Sequence, residues 1–290
     1  MVGTRLHFRL LDVFAEQPFA GNQLCVVPDT PAGLTPEQML VLTREIGFSE
    51  TTFVTAVRPD GYDVRIFTPA EELPFAGHPT LGTAFALVAE GRVGPSLVQR
   101  CAAGDIPVEV DLAGGRATMR QLQPVFGSAV ADREPVAAGA GLGTGDLVAD
   151  LPILPVSTGI AHLMVPVASE EALRRAVRQG AACRAACEAT ETESLYLFAI
   201  RGDGDVMARM FDGEGSIGED PATGSAAGPL GAYLAAHGLA GMPGRVTVSQ
   251  GEMVARPSLL HVETRPADEG WTVTVGGGVW IVGEGSFRIR

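Results

Sequence analysis

Gly77-His-Pro-Thr-Leu-Gly-Thr-Ala-Phe-Ala-Leu-Val-Ala-Glu-Gly91 aligns without gaps on Gly224-Ser-Ala-Ala-Gly-Pro-Leu-Gly-Ala-Tyr-Leu-Ala-Ala-His-Gly238. Four of the 15 positions are identical: Gly77/Gly224, Leu87/Leu234, Ala89/Ala236 and Gly91/Gly238. The offset of 147 is close to half of the 290-residue chain. Two shorter likenesses keep the same order, Arg65-Ile-Phe67 with Arg209-Met-Phe211 and Ser49-Glu-Thr51 with Thr192-Glu-Ser194. Three ordered matches at offsets of 143 to 147 point to a duplicated domain.

Both long segments are apolar almost all round, the mark of a helix buried on every side. Around them the chain offers mainly alternating, antiparallel-looking stretches. Strands are expected around Leu6–Leu10 and over Tyr62–Phe67, Pro107–Leu112, Ala117–Leu122, His162–Val167, Leu195–Ile200, Asp205–Phe211, Arg245–Ser249, Leu259–Glu263 and Trp271–Val275. Helices are expected over Thr35–Ile46, Pro79–Glu90, Ser169–Val177 and Ser225–His237, and the Ala/Arg-rich stretch holding Cys183 and Cys187 also reads as helical. Gln123–Leu147, rich in Gly, Ala and Pro and without a period, reads as a linker. The inferred class is α+β: two similar domains, 1–125 and 126–290, each a mostly antiparallel, barrel-like sheet around one central helix. The last strand is free to pack back on the first domain.

Composition removes several functions. With 21 basic against 34 acidic residues the net charge is -13, which repels phosphate backbones and anionic lipid, so neither nucleic acid nor membrane is an expected partner. All 21 basic residues are Arg, so an imine on a lysine and a Walker A loop are excluded. The N-terminal residues Met1–Arg9 lack an apolar signal core, and no apolar run approaches membrane-spanning length, so a cytoplasmic protein is expected. Four cysteines (Cys25, Cys101, Cys183, Cys187) are too few for a disulfide scaffold and read as thiols in a reducing compartment. The five histidines show no metal-ligand spacing, so no metal is expected. Gly213-Glu-Gly-Ser-Ile-Gly218 fits a dinucleotide pattern, but Glu214, Glu219 and Asp220 would repel a pyrophosphate.

Each central helix opens on glycine, where free N–H groups carry partial positive charge and a ligand can approach the backbone. Two such ends facing each other across a cleft would hold a small carboxylate without Lys or Arg. Polar residues gather at matching places: Glu50 and His78 in one half, Asp220, Thr223 and Ser225 in the other. Glu50 opens a strand in Phe48-Ser-Glu-Thr-Thr-Phe-Val54, and apolar neighbours disfavour its charged form, which suits proton transfer. Alone, Asp220 could be only a helix cap and His78 a packing residue.

Five blocks together resemble the phenazine biosynthesis PhzF-like family. They are Asp12-Val-Phe-Ala with Gly21-Asn22, Phe48–Val54, Arg65-Ile-Phe-Thr-Pro69, Glu72-Leu-Pro-Phe-Ala-Gly-His-Pro-Thr80 and Glu219-Asp-Pro-Ala-Thr-Gly-Ser-Ala-Ala-Gly228. The resemblance implies the diaminopimelate-epimerase-like fold, cofactor-free isomerisation and a homodimer. It implies that Glu50, His78 and Asp220 are catalytic, with Glu50 shuttling a proton. It further implies that Gly77, Pro79, Thr223, Gly224, Ser225 and Ala226 hold a small carboxylate substrate. Related racemases place a cysteine at each helix start; here His78 and Ser225 stand there, which contradicts a two-thiol mechanism. Gln23, Gly47 and Gly213 depart from the family's usual Pro, Asn and Pro, and bear on the substrate and not on the fold. The expected function is isomerisation of a small unsaturated or cyclic amino or carboxylic acid in secondary metabolism. A hydrolase or lyase using the same acid–base site, and a non-catalytic metabolite-binding protein, are the alternatives.

Overall fold

The computed structural model describes residues 4–202, 204–241, 244–268 and 270–289. Residues 1–3, at the start of the expected N-terminal domain and of the stretch read as lacking a signal core, lie outside the described residues. The chain separates into two compact units, residues 1–120 with 276–290, and residues 121–275. The sequence predicts a boundary near residue 125, with a terminal strand free to return to the first domain.

The first unit holds β1 (Thr4–Val13), β2 (Asn22–Val27), α1 (Pro36–Ile46), β3 (Glu50–Arg58), β4 (Gly61–Phe67), β5 (Glu72–Leu73), α2 (Gly77–Ala89), β6 (Ser96–Cys101), β7 (Gly104–Asp111) and β8 (Arg116–Arg120). The second unit contains β9 (Val125–Phe126), α3 (Glu134–Gly139), β10 (Leu154–Ser157), β11 (Ala161–Pro166), α4 (Glu170–Arg175), α5 (Gly180–Thr190), β12 (Ser194–Ile200), β13 (Val206–Asp212), β14 (Glu219–Asp220), α6 (Gly224–Ala236), β15 (Gly244–Gln250) and β16 (Ser258–Pro266). The last strand, β17, runs over Trp271–Ile289, and its Val279–Ile289 portion pairs antiparallel with β1.

Each unit is a mostly antiparallel sheet wrapped on one helix. α2 packs against β1, β2, β3, β6, β7 and β8, and α6 against β10, β11, β15 and β16. Every residue of α2 from Gly77 to Val88 is buried, as is every residue of α6 from Gly224 to Ala235, so the all-round apolar reading holds. Close packing explains two glycines on these helices. A Cβ on Gly82 would stand 2.5 Å from the Leu24 side chain, and one on Gly228 would stand 1.8 Å from Gln121 Oε1.

The duplication extends to side-chain contacts. In β3–β4, Thr51 pairs with Phe67 and Phe53 with Arg65; in β12–β13, Leu195 pairs with Phe211 and Leu197 with Arg209. Arg65 forks onto Glu72 at 2.7 and 2.5 Å, and Arg209 onto Glu219 at 2.8 and 2.6 Å. Each guanidinium also lies over the phenylalanine ring two residues further along its strand, 5.3 Å from Phe67 and 4.8 Å from Phe211. This register matches Glu50 to Ser194, the first residues of β3 and β12. The sequence alignment at offset 143 instead set Glu50 against Glu193, one residue out. In a strand, such a slip exchanges the two faces.

Two readings need correction. Gln123–Leu147 is no linker: it contains α3, and Val136, Ala137, Ala140, Leu142 and Leu147 lie in the core of the second unit. Small residues hid the period there. The strand expected over Trp271–Val275 continues to Ile289 through Gly276-Gly-Gly278. Those glycines do not break it; a Cβ on Gly276 would meet Thr118 Oγ1 at 2.4 Å, and one on Gly278 would meet the Ala15 carbonyl oxygen at 2.1 Å.

Candidate functional site

In the first unit the polar group is assembled by three local choices. A capping box between Thr35 and Gln38 starts α1, and Gly47 ends it in the left-handed conformation at φ 73. That turn delivers Ser49 and Glu50 to the start of β3, and it explains Gly47 in place of Asn, since both residues accept that conformation. β2 runs parallel to β3 and supplies Asn22 just before its register with Glu50 begins at Leu24. The extended Ala76 then leads into α2, whose first turn carries His78 and has no side-chain cap.

Glu50 is 8% exposed and His78 3% exposed, with Oε2 of the acid 3.3 Å from Nε2 of the ring. The other ring nitrogen, Nδ1, lies 3.1 Å from Asn22 Nδ2, and the Asn22 carbonyl oxygen accepts from the Ser49 hydroxyl at 3.1 Å. Burial pushes the imidazole down to about 3, opposed by a hydrogen bond to the Gln23 backbone, so His78 is neutral at physiological pH. The contact therefore joins a carboxyl group to a neutral ring and is not an ion pair. Gly77 and Pro79 flank His78 and are buried; Pro79, third in the helix, removes one N–H from its first turn.

In the second unit, β14 brings Asp220 to the mouth of α6. Thr223 Oγ1 donates to Asp220 Oδ2 at 2.5 Å, and Gln250 Nε2 donates to the Asp220 carbonyl at 2.8 Å and to Thr223 Oγ1 at 2.9 Å. Tyr196 closes this group by donating to Gln250 Oε1 at 3.0 Å; burial, and then the charge of Asp220, hold its phenol protonated. Ser225, 7% exposed, lies with its Oγ 3.0 Å from Nε2 of His162, whose Nδ1 is 2.8 Å from Ser194 Oγ. Gly224 opens the helix, and the N–H of the fully buried Ala226 donates to the Thr223 carbonyl at 3.0 Å.

So the structure groups Glu50, His78 and Gly77 in one unit, and Asp220, Thr223, Gly224 and Ser225 in the other. It adds Asn22, His162, Ser194 and Gln250, which the sequence reading did not place at a site. Asn22 stood inside the quoted Gly21-Asn22 pair, but only the fold, which sets β2 beside β3 and against α2, shows its partners Ser49 and His78. His162 carried no sequence signal, because the parallel β11–β12 pair brings it to Ser194 and the packing of β11 on α6 brings it to Ser225.

Other features resolve differently. The Gly213–Gly218 loop serves the carboxylate of Asp212, which accepts from the N–H groups of Glu214, Gly215 and Ile217 at 3.2, 2.9 and 3.0 Å. Among the described residues no three His, Cys, Asp or Glu side chains gather as metal ligands, and no helix is long and apolar enough to cross a membrane.

A sequence profile of the phenazine biosynthesis-like protein family, PhzC-PhzF, matches residues 11–285. The chain belongs to that family. It is 35% identical over 285 residues to the trans-2,3-dihydro-3-hydroxyanthranilate isomerase of Pseudomonas chlororaphis, covering 97% of this chain and 98% of that one. The crystal structure of a Bacillus anthracis phenazine biosynthesis protein of the PhzF family superposes with a TM-score of 0.88 at 28% identity, over 99% of this chain and 100% of that one. A probable proline racemase from Agrobacterium radiobacter shares the fold, with a TM-score of 0.70 at 14% identity, over 98% of this chain and 93% of the other. The α+β, epimerase-like architecture expected from the sequence is thus the observed one, and this PhzF-family chain is an enzyme of the isomerase class.

Proposed function

We propose that this PhzF-family isomerase moves a proton within a small unsaturated or cyclic amino or carboxylic acid, with its own side chains as the only acid and base. The observation that carries the reading is the buried Glu50 carboxyl group 3.3 Å from a neutral His78 at an uncapped helix start. A carboxylate there can take a proton from carbon and return it elsewhere, and a neutral imidazole beside it can pass a proton without holding a charge. Gly77 and Gly224 offer backbone N–H groups to a carboxylate, where they stabilise charge that develops during proton removal. Asp220, locked by Thr223 and Gln250, and Ser225 orient the substrate's amino or hydroxyl group; Pro79 and Ala226 shape the first turns of α2 and α6. The reading includes secondary metabolism as the setting, a cytoplasmic homodimer, and no nucleic-acid or membrane partner.

One observation favours a second reading. Ser225 and His162 touch at 3.0 Å, as a nucleophilic serine and its base would. The rest of the arrangement opposes a hydrolase. Burial pushes His162 down to about 3, and its far nitrogen meets the hydroxyl of Ser194 where a carboxylate would be needed to support an imidazolium. Isomerisation is the better account.

The test is incubation in heavy water with trans-2,3-dihydro-3-hydroxyanthranilate, the substrate class named for the Pseudomonas chlororaphis relative. An isomer carrying label at one carbon is expected from the wild type and not from Glu50→Gln. Cleavage products, or unchanged turnover in Glu50→Gln, would overturn the proposal.

A further inference from the structure

The duplicated register matches position with position across the two repeats. Glu50 corresponds to Ser194 at the strand start, and His78 to Ser225 as the second helix residue. In the first unit the strand residue paired with Glu50 is Leu24; in the second, the residue paired with Ser194 is His162. One repeat thus brings an acid directly to a histidine. The other inserts a histidine from the neighbouring strand between two serines, Ser194–His162–Ser225, at 2.8 and 3.0 Å. Ser194 and His162 are both buried, and neither belongs to the proton-transfer pair proposed above.

From this geometry we infer that His162 and Ser194 are positioning residues: together they fix the hydroxyl of Ser225 as a hydrogen-bond donor toward an anionic oxygen of the substrate. This rests on the reading that the start of α6 receives a carboxylate. A serine hydroxyl has one proton. If Ser225 donated it to His162, the serine would present lone pairs to the anion, beside N–H groups that attract it. For the proton to point at the ligand, Ser225 Oγ must accept from His162 Nε2–H. A neutral imidazole has a single N–H, so Nδ1 must then be an acceptor, and the Ser194 hydroxyl 2.8 Å away supplies the donor. The chain of donors runs Ser194 to His162 to Ser225, and it is set before any ligand arrives, so no reorganisation is needed on binding.

The experiment reads the tautomer directly. In protein labelled with nitrogen-15 histidine, long-range proton–nitrogen spectra show which ring nitrogen carries the proton, and loss of a signal in His162→Gln assigns it. The expected result for the ligand-free protein is a proton on Nε2 of His162. In Ser194→Ala that preference should weaken, with a second tautomer visible. Gln at 162 can still donate from its amide, so His162→Gln should weaken binding of the carboxylate probe anthranilate less than His162→Leu does. Both should leave binding of the neutral 2-aminobenzamide within about twofold of wild type. A proton on Nδ1 in the free protein overturns the inference whether or not either probe binds. The reading of the site itself fails on a different result, full turnover in Glu50→Gln.

Discussion

Replacing Glu50 tests the proton-transfer reading most sharply, because two substitutions separate its charge from its reach. Glu50→Gln keeps the shape of a buried side chain and removes the carboxyl group that can take up and give back a proton. General acid–base groups contribute about 10²–10⁴ in rate, or ~3–5 kcal/mol of barrier, and a loss of that size is expected in kcat. Glu50→Asp keeps the carboxyl group and withdraws it by one carbon–carbon bond, ~1.5 Å. The 3.3 Å approach to His78 Nε2 would then open to ~4.8 Å. A misplacement of that order costs about 10². The expected order is wild type, then Asp, then Gln. Turnover is followed by product formation, label incorporation from heavy water and anthranilate binding. Binding should stay within about threefold in Glu50→Gln, and Tm should fall by less than ~3 °C, since the isosteric amide keeps the packing. Activity in Glu50→Gln within tenfold of wild type would refute the reasoning. A large fall in Tm would show instead that Glu50 holds the fold.

Three further outcomes follow from other contacts. Gly228→Ala drives a methyl group to 1.8 Å from Gln121 Oε1 and displaces an amide that bonds the Gly224 carbonyl at 2.8 Å and the Thr158 hydroxyl at 2.7 Å. Two buried hydrogen bonds lost should cost about 2–4 kcal/mol, seen in calorimetry as a Tm lower by ~5–12 °C, and an unchanged Tm would refute the packing argument. His78 and His162 are both held neutral to about pH 3 by burial, while an unfolded chain protonates them near 6.5. The unfolded state therefore binds more protons below about pH 6.5, and stability falls as pH falls, by about 2 kcal/mol per histidine at pH 5. Urea unfolding at pH 7 and 5 should show that loss reduced in His162→Gln; an equal loss in both proteins would contradict it. A serine-reactive phosphonate should leave Ser225 unmodified by mass spectrometry, because His162 lacks the acid partner that would make it a base. Stoichiometric labelling of Ser225 would restore the hydrolase reading.

Much of the architecture is legible in the chain because burial on all sides leaves a direct mark. A helix inside a closed sheet has no polar face, and the two segments at 77–91 and 224–238 announce themselves and each other. The elements that went unread share a different property. Val136, Ala137 and Ala140 sit in a stretch of small residues where periodicity has little amplitude, and Gly276 and Gly278 are glycines for reasons of space that only the opposing Thr118 and Ala15 reveal.

The site divides in the same way. Motif and repeat placed Glu50, His78, Asp220 and Ser225 at matching ends of repeated elements, since those positions follow from local order along the chain. Their partners do not. Asn22 meets His78 across 56 positions, and His162 meets Ser225 across 63, where β2 packs on α2 and β11 on α6, a packing that no local pattern encodes. The neutrality of both histidines was also beyond the sequence, because it is a property of the dry surroundings that folding creates. Which residues could do chemistry was written in the sequence by itself. Which protons they hold, and in which direction each hydroxyl points, was decided only when parallel strands carried distant side chains into the same dry interior.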